Sequence, residues 1–133
     1  MNKVIWLVLI FIISFFVQSS ETMNVDTNNE KIDSTVENII QEGLATGFNF
    51  DLNKLVFTYN CGGGAICGGV YLPEVGIVVN FPDNYIVDGQ KEFEVKNSIK
   101  SEQLCISGVS AYDKTIYENQ CYILDGNELI KSK

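Results

Sequence analysis

The chain contains no histidine and no arginine. Without histidine, nucleophilic machinery of the Ser-His-Asp or Cys-His kind has no general base. The common zinc sites that use histidine are excluded for the same reason. Without arginine there is no bidentate guanidinium clamp for phosphate or carboxylate. Carboxylates, lysine, tyrosine and the thiols are what remain for chemistry. No Cys-x2-Cys pair occurs, so neither a four-cysteine metal site nor a redox-active thiol pair has its usual spacing. Positive charge is scarce, with nine basic residues against seventeen carboxylates and a net charge of −8. Nucleic acid is therefore not an expected partner, since phosphate contacts need basic residues. An anionic membrane surface would also repel the chain.

What is present begins with an apolar N-terminus. Lys3 precedes a run from Val4 to Val17 that only Ser14 interrupts, and Val17-Gln18-Ser19 offers small or apolar residues to a peptidase. This pattern predicts a secretory signal peptide over residues 1–19. The run is shorter than the ~20 residues a span requires, so no stable membrane anchor is expected after cleavage. Residues 20–32 read as a flexible polar leader, and 33–133 as a single disulfide-stapled β-rich domain. Loss of Lys3 with the signal leaves eight lysines against seventeen carboxylates, a net charge of −9. Secreted or periplasmic localisation follows from the signal and the even cysteine count.

Asp33-Ser34-Thr35 opens a predicted helix, with Ser34 and Glu37 spaced as a capping box. Val36, Ile39, Ile40 and Leu44 make one apolar stripe, and Gly43 and Gly47 are candidate stops. Beyond Leu55 the period changes to that of strands. Segments 55–60, 69–72, 75–81, 85–87, 91–96, 104–112, 116–124 and 128–131 carry strand patterning. Val75 to Phe81 is a near-continuous apolar run, which suits a strand covered on both faces. Asp88-Gly89 is a hairpin signal, and Asp113-Lys114-Thr115 joins the clearest hairpin. No strand–helix–strand alternation appears, so a parallel sheet is not expected. The expected fold is mainly β, with α+β as the alternative. It is a small antiparallel sheet or barrel of about seven short strands, with one N-terminal helix and two disulfides.

Cys105 and Cys121 are equidistant from Asp113, so a symmetric hairpin places them opposite each other. Cys61 and Cys67 flank Gly62-Gly63-Gly64, which lets that loop close tightly. The expected pairing is Cys61–Cys67 with Cys105–Cys121. The glycines do not make a phosphate cradle, because they lead into a strand rather than a helix.

Glu92 and Glu94 share the solvated face of a strand, and spacing isolates no catalytic pair among the carboxylates. Asp83, Asp88, Asp125 and Asn127 are oxygens that calcium could use, but EF-hand spacing is absent. No catalytic residue, metal or cofactor is assigned. Tyrosine offers large contact area at low entropic cost, and Tyr112 and Tyr117 fall near the predicted turn. The candidate partner contacts are Gly63, Gly64, Tyr112, Lys114 and Tyr117.

Tyr59-Asn60-Cys61, followed by Ser107-Gly108-Val109-Ser110-Ala111-Tyr112, resembles the periplasmic inhibitors of C-type lysozyme. Those are small exported β-barrels whose Ser-Gly-x-Ala-Arg-Tyr loop plugs an active site. The resemblance covers two short patches and lacks that arginine. Asp125-Gly126 stands where a lysine-glycine pair would follow.

The expected function is that of an exported, small, non-enzymatic binding module. An inhibitor or immunity-type protein for a basic hydrolase or toxin fits the acidity, with a basic protein as partner. One alternative is a structural or surface-assembly protein that uses strand edges. The other is a carboxylate-dependent hydrolase. Self-association is left open.

Overall fold

The computed structural model describes residues 32–87 and 90–133. The signal peptide, all but Ile32 of the leader, and the Asp88-Gly89 turn lie outside the described residues. One helix, α1 (Ser34–Thr46), precedes eight strands: β1 (Leu55–Gly62), β2 (Ala65–Leu72), β3 (Ile77–Asn80), β4 (Tyr85–Ile86), β5 (Glu94–Lys96), β6 (Gln103–Val109), β7 (Ile116–Asp125) and β8 (Glu128–Lys131). They form two antiparallel four-stranded sheets. The first has the order β1-β2-β3, with β4 following β3 along the same edge of β2; the second runs β5-β6-β7-β8. Neither sheet closes, so the barrel alternative and the barrel implied by the lysozyme-inhibitor resemblance are both set aside.

Asp33, not Ser34, caps the helix: its carboxylate accepts the Thr35 backbone N–H at 3.0 Å. A carboxylate at this position also meets the positive end of the helix dipole. The Ser34–Glu37 capping box is therefore not the device used. Gly47 ends the helix, whereas Gly43 is interior. A Cβ on Gly43 would lie 2.8 Å from a Leu55 methyl, so glycine lets α1 settle closely on β1.

Side-chain alternation sorts the residues into layers. Even-numbered positions Val56, Val70 and Leu72 point between the sheets, where they meet Leu104, Ile106 and Tyr122 from the second sheet. Odd-numbered Leu55 and Phe57 point outward and are covered by Ile40 of α1. Period-2 alternation with both faces apolar explains why this sheet needs a helix. Both faces of β3 are used as expected: Ile77 and Val79 face the inter-sheet core and Val78 the helix side. It is shorter than the apolar run, however, since Val75 sits on the turn and is 63% exposed. The strands before and after Asp88-Gly89, β4 and β5, belong to different sheets and do not pair as a hairpin.

Both disulfides pair as the spacing implied: Cys61–Cys67 and Cys105–Cys121. Cys105 lies directly opposite Cys121 in the ladder, with Cα atoms 3.9 Å apart. Each bridge clips two neighbouring strands of one sheet, so neither joins the two sheets. That task falls to the apolar core. Two disulfides fit an oxidising, extracytoplasmic setting, and among the described residues no helix is long and apolar enough to cross a membrane.

Candidate functional site

The strands run between two ends of the molecule. One end gathers the β1–β2 tip, the bend from β3 to β4 and the β6–β7 turn. All five residues singled out as partner contacts lie at or beside this end.

The β1–β2 tip is a two-residue turn. Gly62 pairs with Ala65 around Gly63 (φ 61°) and Gly64 (φ 75°). Two consecutive positive φ values define the turn that matches strand twist, and glycine adopts them without strain. Cys61 is the extra residue where the register shifts between Asn60 and Gly62, and its disulfide fastens this bulge to β2. The loop that the glycines were expected to close tightly is a continuation of both strands.

The β6–β7 turn is held from inside. Ser110 is fully buried, and its Oγ accepts the backbone N–H groups of Tyr112 at 3.1 Å and Asp113 at 3.3 Å. Asp113 in turn accepts the Thr115 backbone N–H at 2.9 Å. That bond, with the Thr115 and Ser110 hydroxyls, holds the Asp113 carboxyl below its ordinary range. Lys114 stands exposed beside it in the left-handed region, at φ 63°.

Asn84 to Val87 joins these two loops. The Val87 N–H donates to the Gly64 carbonyl at 3.0 Å, and the Ala111 N–H donates to the Asn84 carbonyl at 2.8 Å. Tyr85 bridges to Ser110 in the same ladder. At ~3.3 Å per residue, the two loops are fixed about 10 Å apart along one extended segment. Tyr112 is 76% exposed, yet its hydroxyl accepts the Asn84 side-chain N–H at 2.9 Å. Its ring is thus presented to solvent in a fixed position. Val87 and Ile116, each 49% exposed, add apolar surface at this end of the molecule.

Tyr117 is placed differently from Tyr112. It is half-buried, packs edge-on against Tyr85 with ring centres 5.8 Å apart, and donates its hydroxyl to Asp83 at 2.9 Å. Burial and the Asp83 carboxylate push its phenol up to about 12. Tyr85 is fully buried against Phe93 and Tyr117, and burial, then neighbouring Tyr122 and Asp83, raise its phenol further. Its hydroxyl has no partner among the described residues. Tyr85 and Tyr117 form the apolar floor under the loops rather than the exposed surface.

Sequence reasoning did not assign Asp83, Asn84 or Ser110 to this end of the molecule. Pro82-Asp83-Asn84 has the composition of a turn, but nothing local says which distant loop a turn will touch. Asp83 and Asp125 lie at opposite ends of the molecule, so the four oxygens weighed for calcium do not converge. Among the described residues no group of three acidic, cysteine or histidine side chains could hold a metal ion.

No protein-family model matches the chain, and comparison with characterised proteins and with solved structures finds no match.

Proposed function

We propose that this chain is a secreted or periplasmic, non-enzymatic binding module whose contact surface is the end formed by the glycine tip and the β6–β7 turn. One observation carries the reading: Asn84 to Val87 locks two loops distant in sequence into a single surface, with Tyr112 held out from it. A fixed aromatic ring surrounded by apolar and polar groups is the usual composition of a contact hot spot. The chain's net charge of −8 favours encounter with a basic protein, and an inhibitor or immunity-type role toward a basic hydrolase or toxin follows.

The test is capture by the oxidised protein from its native exported milieu at low and high salt, with mass spectrometry of what is retained. The expected result is one basic protein, retained at low salt and lost at high salt. Tyr112→Ala is expected to weaken that capture by at least about tenfold without changing the fold, since the ring is exposed. Retention that ignores both salt and Tyr112→Ala would refute the reading.

A further inference from the structure

β1 lies at the edge of its sheet, and only one of its sides is paired with another strand. Which of its backbone groups face that open edge follows from the ladder. Thr58 pairs with Gly68, and the Gly68 carbonyl accepts the Phe81 N–H at 2.9 Å on the far side of β2. Opposed residues in an antiparallel pair either bond each other or both turn away. Thr58 therefore turns its N–H and C=O to the open edge, as do Val56 and Asn60, two residues to either side. The Val56 groups are already occupied. The Asn49 carboxamide accepts the Val56 N–H at 2.7 Å and donates to its carbonyl at 2.9 Å, as a peptide of an adjoining strand would. Among the described residues, the edge groups of Thr58 and Asn60 have no comparable partner.

Edge strands are ordinarily protected by charge, proline or brevity. β5 carries Glu94 and Lys96, β8 carries Glu128 and Lys131, and β3 is four residues long. β1 has eight residues, Leu-Val-Phe-Thr-Tyr-Asn-Cys-Gly, with no charge and no proline. A cleft of about 500 Å³ runs along its edge, walled by Ile39, Glu42 and Thr46 of α1 and by Phe48.

We propose that a second copy of this chain adds its β1 antiparallel to this one, on a twofold axis through Tyr59, so that the two sheets become continuous. Two copies of a chain with net charge −8 repel across most of their surfaces, so they can meet only where the strand itself is uncharged, and each copy offers the other the same two open residues, Thr58 and Asn60. The geometry is self-complementary. With Tyr59 on the axis, Thr58 faces the partner's Asn60 and Asn60 faces the partner's Thr58. That register completes about four backbone hydrogen bonds. One step further, the bulge at Cys61 breaks the partner's register and the Asn49 carboxamide already holds Val56, so the seam ends there. The partner's glycine tip, which has no side chains, then passes Phe48, whose ring is 42% exposed.

Sedimentation velocity on the oxidised protein, over roughly a thousandfold range of concentration, tests this. A concentration-dependent dimer is expected. Thr58→Pro removes an N–H that this sheet does not use, so the monomer fold is kept, as near-UV circular dichroism and intact disulfides would report. It is expected to weaken the dimer at least about a hundredfold. Should that variant misfold, Asn60→Lys places like charges beside the axis and is expected to act in the same direction. Hydrogen exchange at Thr58 and Asn60 is expected to slow only as the dimer forms. A monomer at every concentration overturns the proposal, as does a dimer indifferent to both substitutions. Slow exchange at these amides in a monomer would place residues 20–31 of the same chain on the edge and overturn it equally. Protection that appears only with a captured foreign protein would assign the edge to that protein instead.

Discussion

The two sheets contain the same number of strands but solve different problems. In the first, successive residues Leu55, Val56 and Phe57 are all buried, so both faces must be covered, one by the second sheet and one by α1. In the second, Val95, Leu104 and Ile106 face inward while Glu94 and Lys96 face water. No helix is needed there, because alternation already gives that face to solvent. Charge follows the same division. The helix-covered sheet has an uncharged edge guarded by one carboxamide, and the bare sheet has edges marked by both signs of charge. What stabilises a sheet by burying both faces also strips its edge of the residues that discourage pairing.

The largest test of this contrast is the layer the two sheets share. Ile106 is fully buried between them, and Ile106→Ala is expected to cost about 2–5 kcal/mol in urea unfolding. A loss under about 1 kcal/mol would mean that the sheets are not held by this core. The next test sets the two staples against each other. The loop-entropy model assigns about 3 kcal/mol to Cys105–Cys121 and about 2 kcal/mol to Cys61–Cys67. Replacing each pair by alanine should therefore destabilise the second sheet more than the first. The reverse order would place native-state strain, not loop length, in control.

Edge protection is a smaller effect. Asn49→Ala leaves the Val56 N–H and C=O without their partner, at an expected cost of about 1–2 kcal/mol. Lys91–Glu118 on the other sheet is an exposed pair at 3.6 Å, and its removal should cost well under 1 kcal/mol. Equal losses would erase the distinction between a structural plug and a solvated ion pair.

One further effect appears only at high pH. Tyr117 has a folded-state pKa raised to about 12 against an ordinary value of 10.0, so its contribution is intact below pH 10. It is lost as the pH rises through about 12, because the unfolded chain releases the proton first. Tyr85 and Tyr122, also raised by burial, act in the same direction. Urea midpoints should therefore fall between pH 10 and 12, and Tyr117→Phe should fall less steeply over that window. Equal slopes would remove Tyr117 from the alkaline transition.

Much of this architecture was legible because local rules and tertiary packing agree. Cys105 and Cys121 could be paired from symmetry about Asp113, since antiparallel register fixes which residues oppose one another. The ladder then gains a residue at Glu118–Asn119, but this bulge lies between the turn and the cysteines' rung on one strand only. The turn itself is centred between Tyr112 and Asp113, which alone would set Cys105 against Gln120; the extra residue restores Cys121 as its partner. The helix cap was misread because Asp33 and Ser34 are both competent caps, and only the entry direction of the chain chooses between them. Tyr112 and Tyr117 were indistinguishable in sequence. One points to solvent and one into the aromatic floor because the turn between them reverses the chain over a core that neither residue specifies.

The sequence by itself determined the β-rich class, the short helix with its apolar stripe, both disulfides and the exclusion of histidine and arginine chemistry. Those are consequences of residue identity, of period and of short-range geometry. The tertiary structure alone decided that there are two open sheets rather than a barrel. It also decided that Asn84 to Val87 ties the glycine tip to the β6–β7 turn, and that Asn49 stands at the edge of β1. Each of these depends on backbone groups of residues distant in sequence meeting at hydrogen-bonding distance. No local pattern encodes that meeting, because every peptide carries the same donor and acceptor.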